Sequence, residues 1–138
     1  MNKIEHIGIA VSNLEAAKHS FQQLLGALPY KEETVDSEGV KTVFFKVGEV
    51  KIELLQATNK DSPIAKFIDK KGPGIHHIAF DVDSAKEKGE ELAEKGFQVL
   101  HKVPKQGADN KLINFIHPKS THGVLVEICQ NKNNNGKA

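Results

Sequence analysis

Two segments of the chain share one pattern of apolar and polar residues and lie 71 positions apart. Residues 4–11 read IEHIGIAV, and residues 75–82 read IHHIAFDV. Short alternating or wholly apolar runs of this length predict β-strands, and their recurrence predicts an internal repeat. The pattern therefore predicts two related halves, each of which opens on a strand.

A helix start follows each of these strands. Ser12 and Ser84 each precede a glutamate by three residues, which is the capping-box pattern of a helix N-terminus. Apolar residues at helical spacing come next, and the two segments end at Gly26 and Gly96. We expect one helix after each strand, with Ser12 and Ser84 as the N-caps.

A second pair of matching strands lies near the end of each half. Residues 50–56 (VKIELLQ) are echoed 74 positions later by residues 124–130 (VLVEICQ). Each half also has room for two further strands before this one. These are expected at 28–35 and 40–47 in the first half, and at 97–103 and 111–117 in the second. Each half is therefore predicted to be a βαβββ module.

The length of the chain places both modules in one domain. With 138 residues and 38% apolar content, the chain can form one core but not two independently stable ones. The predicted class is α+β, with two paired βαβββ modules that form a curved sheet around a cleft. The predicted boundaries are a single domain over 1–130, module one at about 3–56, a linker at 57–73, module two at about 74–130 and a disordered tail at 131–138. A short helix is expected from Pro63 in the linker, because proline suits the first helical turn.

The repeat places four side chains of metal-ligand type at equivalent positions. Alternate residues of a strand share a face, so His6 and His77 point away from the bulky residues that are expected to pack on the helices. Glu53 and Glu127 occupy the corresponding face of the later strands. A carboxylate on an apolar strand needs a partner, since burying a charge alone costs several kcal/mol. Two imidazoles and two carboxylates in one cleft suit a divalent ion such as Co²⁺, Mn²⁺, Zn²⁺, Ni²⁺ or Fe²⁺.

Charge and cysteine content argue against several classes of function. The 19 basic residues are all lysine and nearly balance 18 acidic ones, which disfavours binding to nucleic acid. No apolar run approaches the roughly 20 residues that are needed to cross a bilayer. The single cysteine, Cys129, cannot form a disulfide within the chain. We therefore expect a cytoplasmic protein that binds neither nucleic acid nor a membrane.

The motifs around these residues resemble the vicinal oxygen chelate superfamily, which includes glyoxalases and bleomycin resistance proteins. Within it, residues 3–130 are similar to the methylmalonyl-CoA epimerases. The resemblance rests on His6 in IEHIGIAV, Glu53 in KIELLQ, DSPIAKF at 61–67, GIHHIAF at 74–80, INFIHPK at 113–119 and GVLVE at 123–127. The DSPIAKF and INFIHPK stretches together point to the epimerases.

The resemblance implies an enzyme that interconverts the 2R and 2S forms of methylmalonyl-CoA. In the family, a divalent metal, foremost Co²⁺, chelates the thioester and carboxylate oxygens of this acyl-CoA substrate. The proton between them is removed and then returned on the opposite face, through a metal-stabilised enolate. By matching motifs, His6, Glu53, His77 and Glu127 are the metal ligands, and Glu127 is also one acid/base. Members of the superfamily commonly form dimers, so a homodimer is expected.

Two aspects of the expected mechanism stay open at the level of sequence. Some members carry a second glutamate three residues beyond a glycine, but the position that follows Gly39 in this way is Thr42. A threonine hydroxyl cannot act as a general base near neutral pH, so a neighbouring acid, a lysine such as Lys41, or a water could carry the second proton. His117 and Lys119 are candidates for substrate binding through the coenzyme A moiety, and a simple strand-end turn is the alternative interpretation of these two residues.

Two other functions are compatible with the same sequence. A glyoxalase-type lyase would use the same four ligands on a hemithioacetal, and an assay with methylglyoxal and glutathione would distinguish it. A metal-free binding protein of the antibiotic-sequestering kind would share the fold but would need no His/Glu quartet. Elemental analysis for a stoichiometric metal ion separates this last class from the two enzymes.

Overall fold

The computed structural model describes residues 1–132 of the chain, and this part has the predicted α+β class. Its strands are β1 (Lys3–Ala10), β2 (Lys31–Val35), β3 (Val40–Val47), β4 (Val50–Ala57), β5 (Gly74–Asp81), β6 (Lys105–Gln106), β7 (Lys111–Ile116) and β8 (Val126–Asn131). Its helices are α1 (Leu14–Leu25), α2 (Pro63–Lys71) and α3 (Ala85–Glu94). The order along the chain confirms the predicted repeat of βαβββ. Across residues 1–132, no helix has the length and apolar character that a membrane span requires.

The chain divides into two compact units, of which the first contains residues His6–His76. Its strands lie in the order β2-β3-β4-β1, with β1 parallel to β4 and the other neighbours antiparallel. Helix α1 packs on one face of these strands through a core of Leu14, Val43, Phe45 and Leu54. The apolar stripe of the helix thus meets the alternate apolar residues of β3 and β4.

The second unit combines Met1–Glu5 with the chain from His77 onward. Its strands lie in the order β5-β8-β7-β6, and β5 is parallel to β8. Helix α3 packs on one face of these strands through Val82, Ala85 and Ile128. The second unit therefore repeats both the strand order and the parallel pair of the first.

The two helix starts are fixed by equivalent residues, and one of them differs from the prediction. The N-cap of α1 is Asn13, whose Oδ1 accepts a hydrogen bond from the Ala16 N–H at 3.0 Å, so the prediction of Ser12 is wrong. The N-cap of α3 is Ser84, as predicted, and its Oγ accepts from the Glu87 N–H at 3.1 Å. At the repeat distance of 71, Asn13 and not Ser12 is the counterpart of Ser84. Asparagine and serine are both strong N-cap residues.

A glutamine near the end of β4 and another in β8 bind the same helix starts. Gln56 Oε1 accepts a hydrogen bond from the Leu14 N–H at 2.6 Å, and Gln130 Oε1 accepts from the Ala85 N–H at 3.0 Å. The first backbone N–H groups of a helix have no partner within the helix. Each glutamine supplies an acceptor for one of these N–H groups, and this hydrogen bond joins its strand to the N-terminus of the helix.

The strand expected at 97–103 is the largest error of the sequence prediction. Around this segment only an isolated bridge forms, between Val99 and Ile116, and β6 itself has two residues further along. The side chain of Asn114 explains the interruption. Its Oδ1 accepts from the His101 N–H at 3.1 Å, and its Nδ2 donates to the His101 C=O at 2.8 Å. This amide takes both backbone groups that a continued strand would have used.

The linker and the tail agree with prediction in part. Helix α2 begins at Pro63, and the side chain of its N-cap Ser62 accepts from the Ile64 N–H at 3.1 Å. The tail was expected from residue 131, but Asn131 is the last residue of β8. Residues 133–138 lie outside the described part of the chain.

Removing an N-cap hydrogen bond should weaken the corresponding unit. Asn13→Ala and Ser84→Ala are each expected to lower the free energy of unfolding by about 1 kcal/mol, because one helix N–H loses its acceptor. Ser12→Ala is the matched control and should change stability by less than about 0.5 kcal/mol, as for other exposed positions. Urea denaturation measures all three. A larger loss for Ser12→Ala than for Asn13→Ala would contradict the assignment.

Candidate active site

In the first unit, a histidine and a glutamate meet on the neighbouring parallel strands β1 and β4. His6 Nε2 lies 3.3 Å from Glu53 Oε1, and both side chains are buried. The register places Gly8 opposite Glu53, two residues beyond the histidine. Glycine leaves the space beside the carboxylate free of a side chain, so the imidazole can approach it.

The second unit contains an equivalent pair on the parallel strands β5 and β8. His77 Nε2 lies 3.2 Å from Glu127 Oε1, and both side chains are again buried. The register places Ala79 opposite Glu127, once more two residues beyond the histidine. The two units therefore build the same pair with the same strand geometry, as the repeat in the sequence indicated.

Each pair lies on the strand face that its helix does not cover. We call this the site face; it carries His6 and Glu53 in the first unit, and His77 and Glu127 in the second. The alternate residues of the same strands point to the helices: Leu54 packs with α1, and Ile128 packs with α3. The predicted orientation of the four side chains within their own units is confirmed.

The donor atoms of each pair suit a divalent metal. Ligand distances of about 2.0–2.2 Å, with two ligands near a right angle, put the two donor atoms roughly 3 Å apart. The nitrogen-to-oxygen separations of 3.3 Å and 3.2 Å fall close to this. Imidazole nitrogen and carboxylate oxygen are ligands that first-row divalent ions accept. The two donor atoms of each pair can therefore occupy two adjacent coordination positions of a metal ion.

An aromatic residue that the sequence did not single out borders the pair of the second unit. Phe115 lies opposite Glu127 in the antiparallel pairing of β7 with β8. Its ring meets the His77 imidazole edge to face, with centroids 6.2 Å apart and planes at 90°. This packing restricts the rotation of the His77 ring. The antiparallel pairing of the two predicted strands at 111–117 and 124–130 is the signal that could have placed Phe115 opposite Glu127.

Thr42, the residue at the position of the second glutamate of some family members, lies on the site face of the first unit. In the pairing of β3 with β4, Phe44 is opposite Glu53, and Thr42 follows two residues away, opposite Leu55. Thr42 is fully buried, and its hydroxyl donates to the Glu33 C=O at 3.4 Å. Lys41 is exposed and alternates with Thr42, so it points to the other face. This finding removes Lys41 as a proton carrier at the site.

His117 and Lys119 form the turn that follows β7. His117 Nδ1 accepts a hydrogen bond from the Lys119 backbone N–H at 3.0 Å and caps the short 3₁₀ helix Pro118–Thr121. The Lys119 side chain is exposed. The geometry supports the strand-end turn as the role of His117, and it leaves the Lys119 ammonium accessible.

A buried lysine that the sequence prediction missed also lies on the site face of the second unit. Lys111 Nζ is 4.0 Å from Glu5 Oε2, and both residues are buried. Lys111 lies two residues before Ile113 on β7 and shares its face, and Ile113 packs with Ala79 and Cys129. In the sequence, Lys111 follows a polar turn and is indistinguishable from a surface lysine.

Burial makes the Cys129 thiol unreactive. Burial is the largest cause that raises the pKa of Cys129, and the carboxylates of Glu127 and Glu5 raise it further. The side chain is fully buried, and its Sγ lies 3.5 Å from the Phe80 C=O. The thiolate is the nucleophilic form of cysteine, so this residue has no role as a nucleophile at neutral pH.

Two outcomes are expected for this thiol. A disulfide reagent at about pH 8 should leave the folded protein unlabelled and should label one thiol after unfolding in guanidinium. As pH rises above the ordinary thiol pKa of 9.0, the unfolded state ionises and the folded state does not, so Cys129 then contributes a loss of stability. Cys129→Ala is the control and should show no labelling in either state. Rapid labelling of the folded protein would contradict the burial.

Comparison with known proteins agrees with the geometry. The family described as the Glyoxalase/Bleomycin resistance protein/Dioxygenase superfamily matches residues 5–115. An uncharacterized protein of Bacillus subtilis is 42% identical, over 96% of this chain and 94% of its own. The mitochondrial methylmalonyl-CoA epimerase of Homo sapiens is 38% identical, over 94% of this chain and 74% of its own.

A solved structure agrees with this chain over most of its length. A variant of the Streptomyces coelicolor methylmalonyl-CoA epimerase, in complex with 2-nitronate-propionyl-CoA, superposes with a TM-score of 0.92. It is 32% identical in sequence, and the match covers 96% of both chains. The chain therefore belongs to the glyoxalase/bleomycin resistance protein/dioxygenase superfamily and, within it, to the methylmalonyl-CoA epimerase family.

Proposed function

We propose that this protein is an epimerase that interconverts the 2R and 2S forms of methylmalonyl-CoA. The observation that carries the proposal is the duplicated, buried His–Glu pair, at 3.3 Å in one unit and 3.2 Å in the other. Membership of the methylmalonyl-CoA epimerase family supports the choice of substrate. The reaction removes the proton on C2, between the thioester and the carboxylate, and returns a proton on the opposite side.

We propose that His6, Glu53, His77 and Glu127 together bind one divalent ion, with Co²⁺ as the expected metal. The equivalent positions of the pairs in the repeat and the family resemblance support a single shared ion. When bound, the metal supplies Lewis-acid stabilisation of the negative charge that develops on the substrate oxygens. The four buried side chains keep the ligand set away from bulk water, which strengthens these electrostatic interactions.

Glu127 is the proposed proton carrier on one side of C2. Its carboxylate accepts the proton, and the electron pair of the broken C–H bond passes to the thioester carbonyl. The His77 imidazole, 3.2 Å away and packed against Phe115, holds the carboxylate in place. Thr42 cannot perform the matching step on the other side, because a hydroxyl is too weak a base. Glu127 therefore serves one side of C2, and a neighbouring acid or a water returns the proton on the other side.

We further propose that the Lys119 ammonium contacts the phosphate groups of coenzyme A. Lys119 is exposed, and the hydrogen bond from its backbone N–H to His117 Nδ1, at 3.0 Å, fixes the turn that carries it. An ammonium acts on phosphate as a strongly hydrated point charge. His117 then contributes indirectly, by holding Lys119 in position.

We propose a homodimer in the cytoplasm as the working form. The resemblance to the superfamily supports the dimer, since its members commonly pair. The single buried cysteine is consistent with a reducing compartment, where thiols stay free.

Metal stoichiometry tests the shared site. Equilibrium dialysis against Co²⁺ should give one ion per chain, and His6→Ala or His77→Ala should each weaken binding at least about tenfold, because each removes one ligand. His19→Ala is the control, since His19 is exposed on α1. Two independent ions per chain would show that each pair binds its own metal, and would contradict the shared site.

Solvent exchange at C2 tests the reaction. In D₂O with Co²⁺, the protein should incorporate deuterium at C2 of methylmalonyl-CoA, and a chelator should abolish this exchange. Glu127→Gln should slow it at least about 100-fold, since the amide cannot accept the proton.

The control for the exchange experiment is Glu94→Gln, an exposed carboxylate of the same unit, which should exchange at the wild-type rate. Exchange that survives complete removal of metal would contradict the proposal. Activity on the hemithioacetal of methylglyoxal and glutathione, without exchange into methylmalonyl-CoA, would instead identify a glyoxalase-type lyase.

A further inference from the structure

A glutamate on strand β2 shares the site face of the first unit. Glu33 lies opposite Thr42 in the antiparallel pairing of β2 with β3, and opposite residues of neighbouring strands point to the same face. Its neighbour Glu32 points the other way, because Glu32 Oε2 accepts a hydrogen bond from Lys18 Nζ of α1 at 2.6 Å. Two independent contacts therefore place the Glu33 side chain on the face that α1 does not cover.

Glu33 is a carboxylate of this face that the proposed metal site does not use. Among the strand residues between His6 and His76, all of which the structure describes, the acidic side chains on the site face are Glu33 and Glu53. Glu53 is already a proposed metal ligand. Glu33 is thus the acid of this face to which neither metal binding nor proton transfer has been assigned.

The short side chain of Thr42 leaves room beside Glu33 on the site face. Thr42 is fully buried, and the residues opposite it on the two flanking strands are Glu33 and Leu55. A side chain this short on the face of a sheet is covered by longer neighbours, so Glu33 and Leu55 contribute to its burial. No long side chain at position 42 separates Glu33 from the strand that carries Glu53.

The spacing of Glu33 and Glu53 suits a substrate between them. Two strand spacings and two residues of rise separate these positions, which gives about 12 Å between their Cα atoms. Glutamate side chains that lean toward each other across this distance leave the width of a small acyl group between their carboxylates. One carboxylate can then bind the metal while the other contacts the reacting carbon.

The contact that Glu33 makes with Lys31 is one that a substrate can displace. Lys31 Nζ lies 3.5 Å from Glu33 Oε1, and the two side chains are 35% and 30% exposed. An ion pair with this exposure contributes little to stability. The carboxylate can therefore turn toward a bound substrate without a large cost.

We propose that Glu33 is the second proton carrier of the epimerase, on the side of C2 opposite Glu127. The inference rests on the proposed function, because it assumes that one acyl-CoA substrate meets the site faces of both units. Inversion needs a carrier on each side: as Glu127 takes the proton, the electron pair of the C–H bond forms the enolate. The Glu33 carboxylic acid then donates its proton to C2, and the electron pair returns to the new C–H bond. The other epimer reacts with the two roles exchanged, and proton exchange with water restores both acids.

Single epimers of methylmalonyl-CoA in D₂O, with Co²⁺ present, distinguish the two carriers. The wild-type protein should exchange and convert both epimers. Glu33→Gln should slow conversion at least about 100-fold, because the amide cannot carry the proton. The epimer whose proton faces Glu127 should still take up deuterium, and the other epimer should become inert. Mass spectrometry measures the deuterium, and a coupled enzyme that accepts one epimer measures conversion.

Glu32→Gln is the matched control, since this neighbour faces α1, and it should exchange and convert both epimers at the wild-type rates. Glu127→Gln is not a mirror image of Glu33→Gln, because it also alters a proposed metal ligand and should slow both epimers. Adding Thr42→Glu to Glu33→Gln returns a carboxylate to the same face and should restore conversion at least about tenfold. Glu33→Asp keeps a carboxylate on β2 and should convert faster than Glu33→Gln, a result that does not depend on the folding of the double variant.

Binding measurements separate proton transfer from a structural role. Equilibrium dialysis of Co²⁺ and calorimetric titration with methylmalonyl-CoA should give the same affinities for Glu33→Gln as for the wild-type protein. Weaker binding of the metal or the substrate would identify a structural role and overturn the inference. Conversion by Glu33→Gln at the wild-type rate would also overturn it and would assign the second proton to a water. If the wild-type protein neither exchanges nor converts either epimer, the proposed function itself fails, and that result is distinct from the others.

Discussion

The parallel pairing of β1 with β4, and of β5 with β8, is the constraint on which the candidate site depends. In both pairs the glutamate lies opposite a small residue two positions beyond the histidine, Gly8 in one unit and Ala79 in the other. A slip of one residue would turn every side chain of a strand to the other face. The glutamate would then point to the helix, and the His–Glu pair would be lost.

The same strands also fix the helices, which explains why the register is so well determined. Three residues beyond each glutamate is a glutamine, Gln56 or Gln130, which therefore points to the opposite face and binds the N-terminus of α1 or α3. Leu54 and Ile128 add apolar packing on that side. Strands β4 and β8 thus each present the glutamate on one face and the contacts to the helix on the other. A shift in register would break the His–Glu pair and the helix contacts together.

The sequence predicts the structure correctly at positions that the internal repeat relates to each other. The four histidine and glutamate positions, their shared face within each unit and the βαβββ order all follow from two aligned segments. The same alignment, applied more strictly, would have identified Asn13 as the N-cap. The break at His101 could not be predicted, because it depends on one side-chain amide from a strand that comes later in the chain. The contact between Glu5 and Lys111 joins residues more than a hundred positions apart, and local patterns contain no information about such a pair.

The side-chain amide of Asn114 interrupts the hydrogen-bonded ladder of the sheet at His101. Because a single side chain binds both backbone groups of His101, the path of the segment beyond it is not set by a hydrogen-bonded ladder. Insertions or substitutions between Lys102 and Pro104 would leave the anchored strand β7 in place. This short loop is therefore one position at which the scaffold can accept new sequence, in evolution or in engineering, while β7 stays in place.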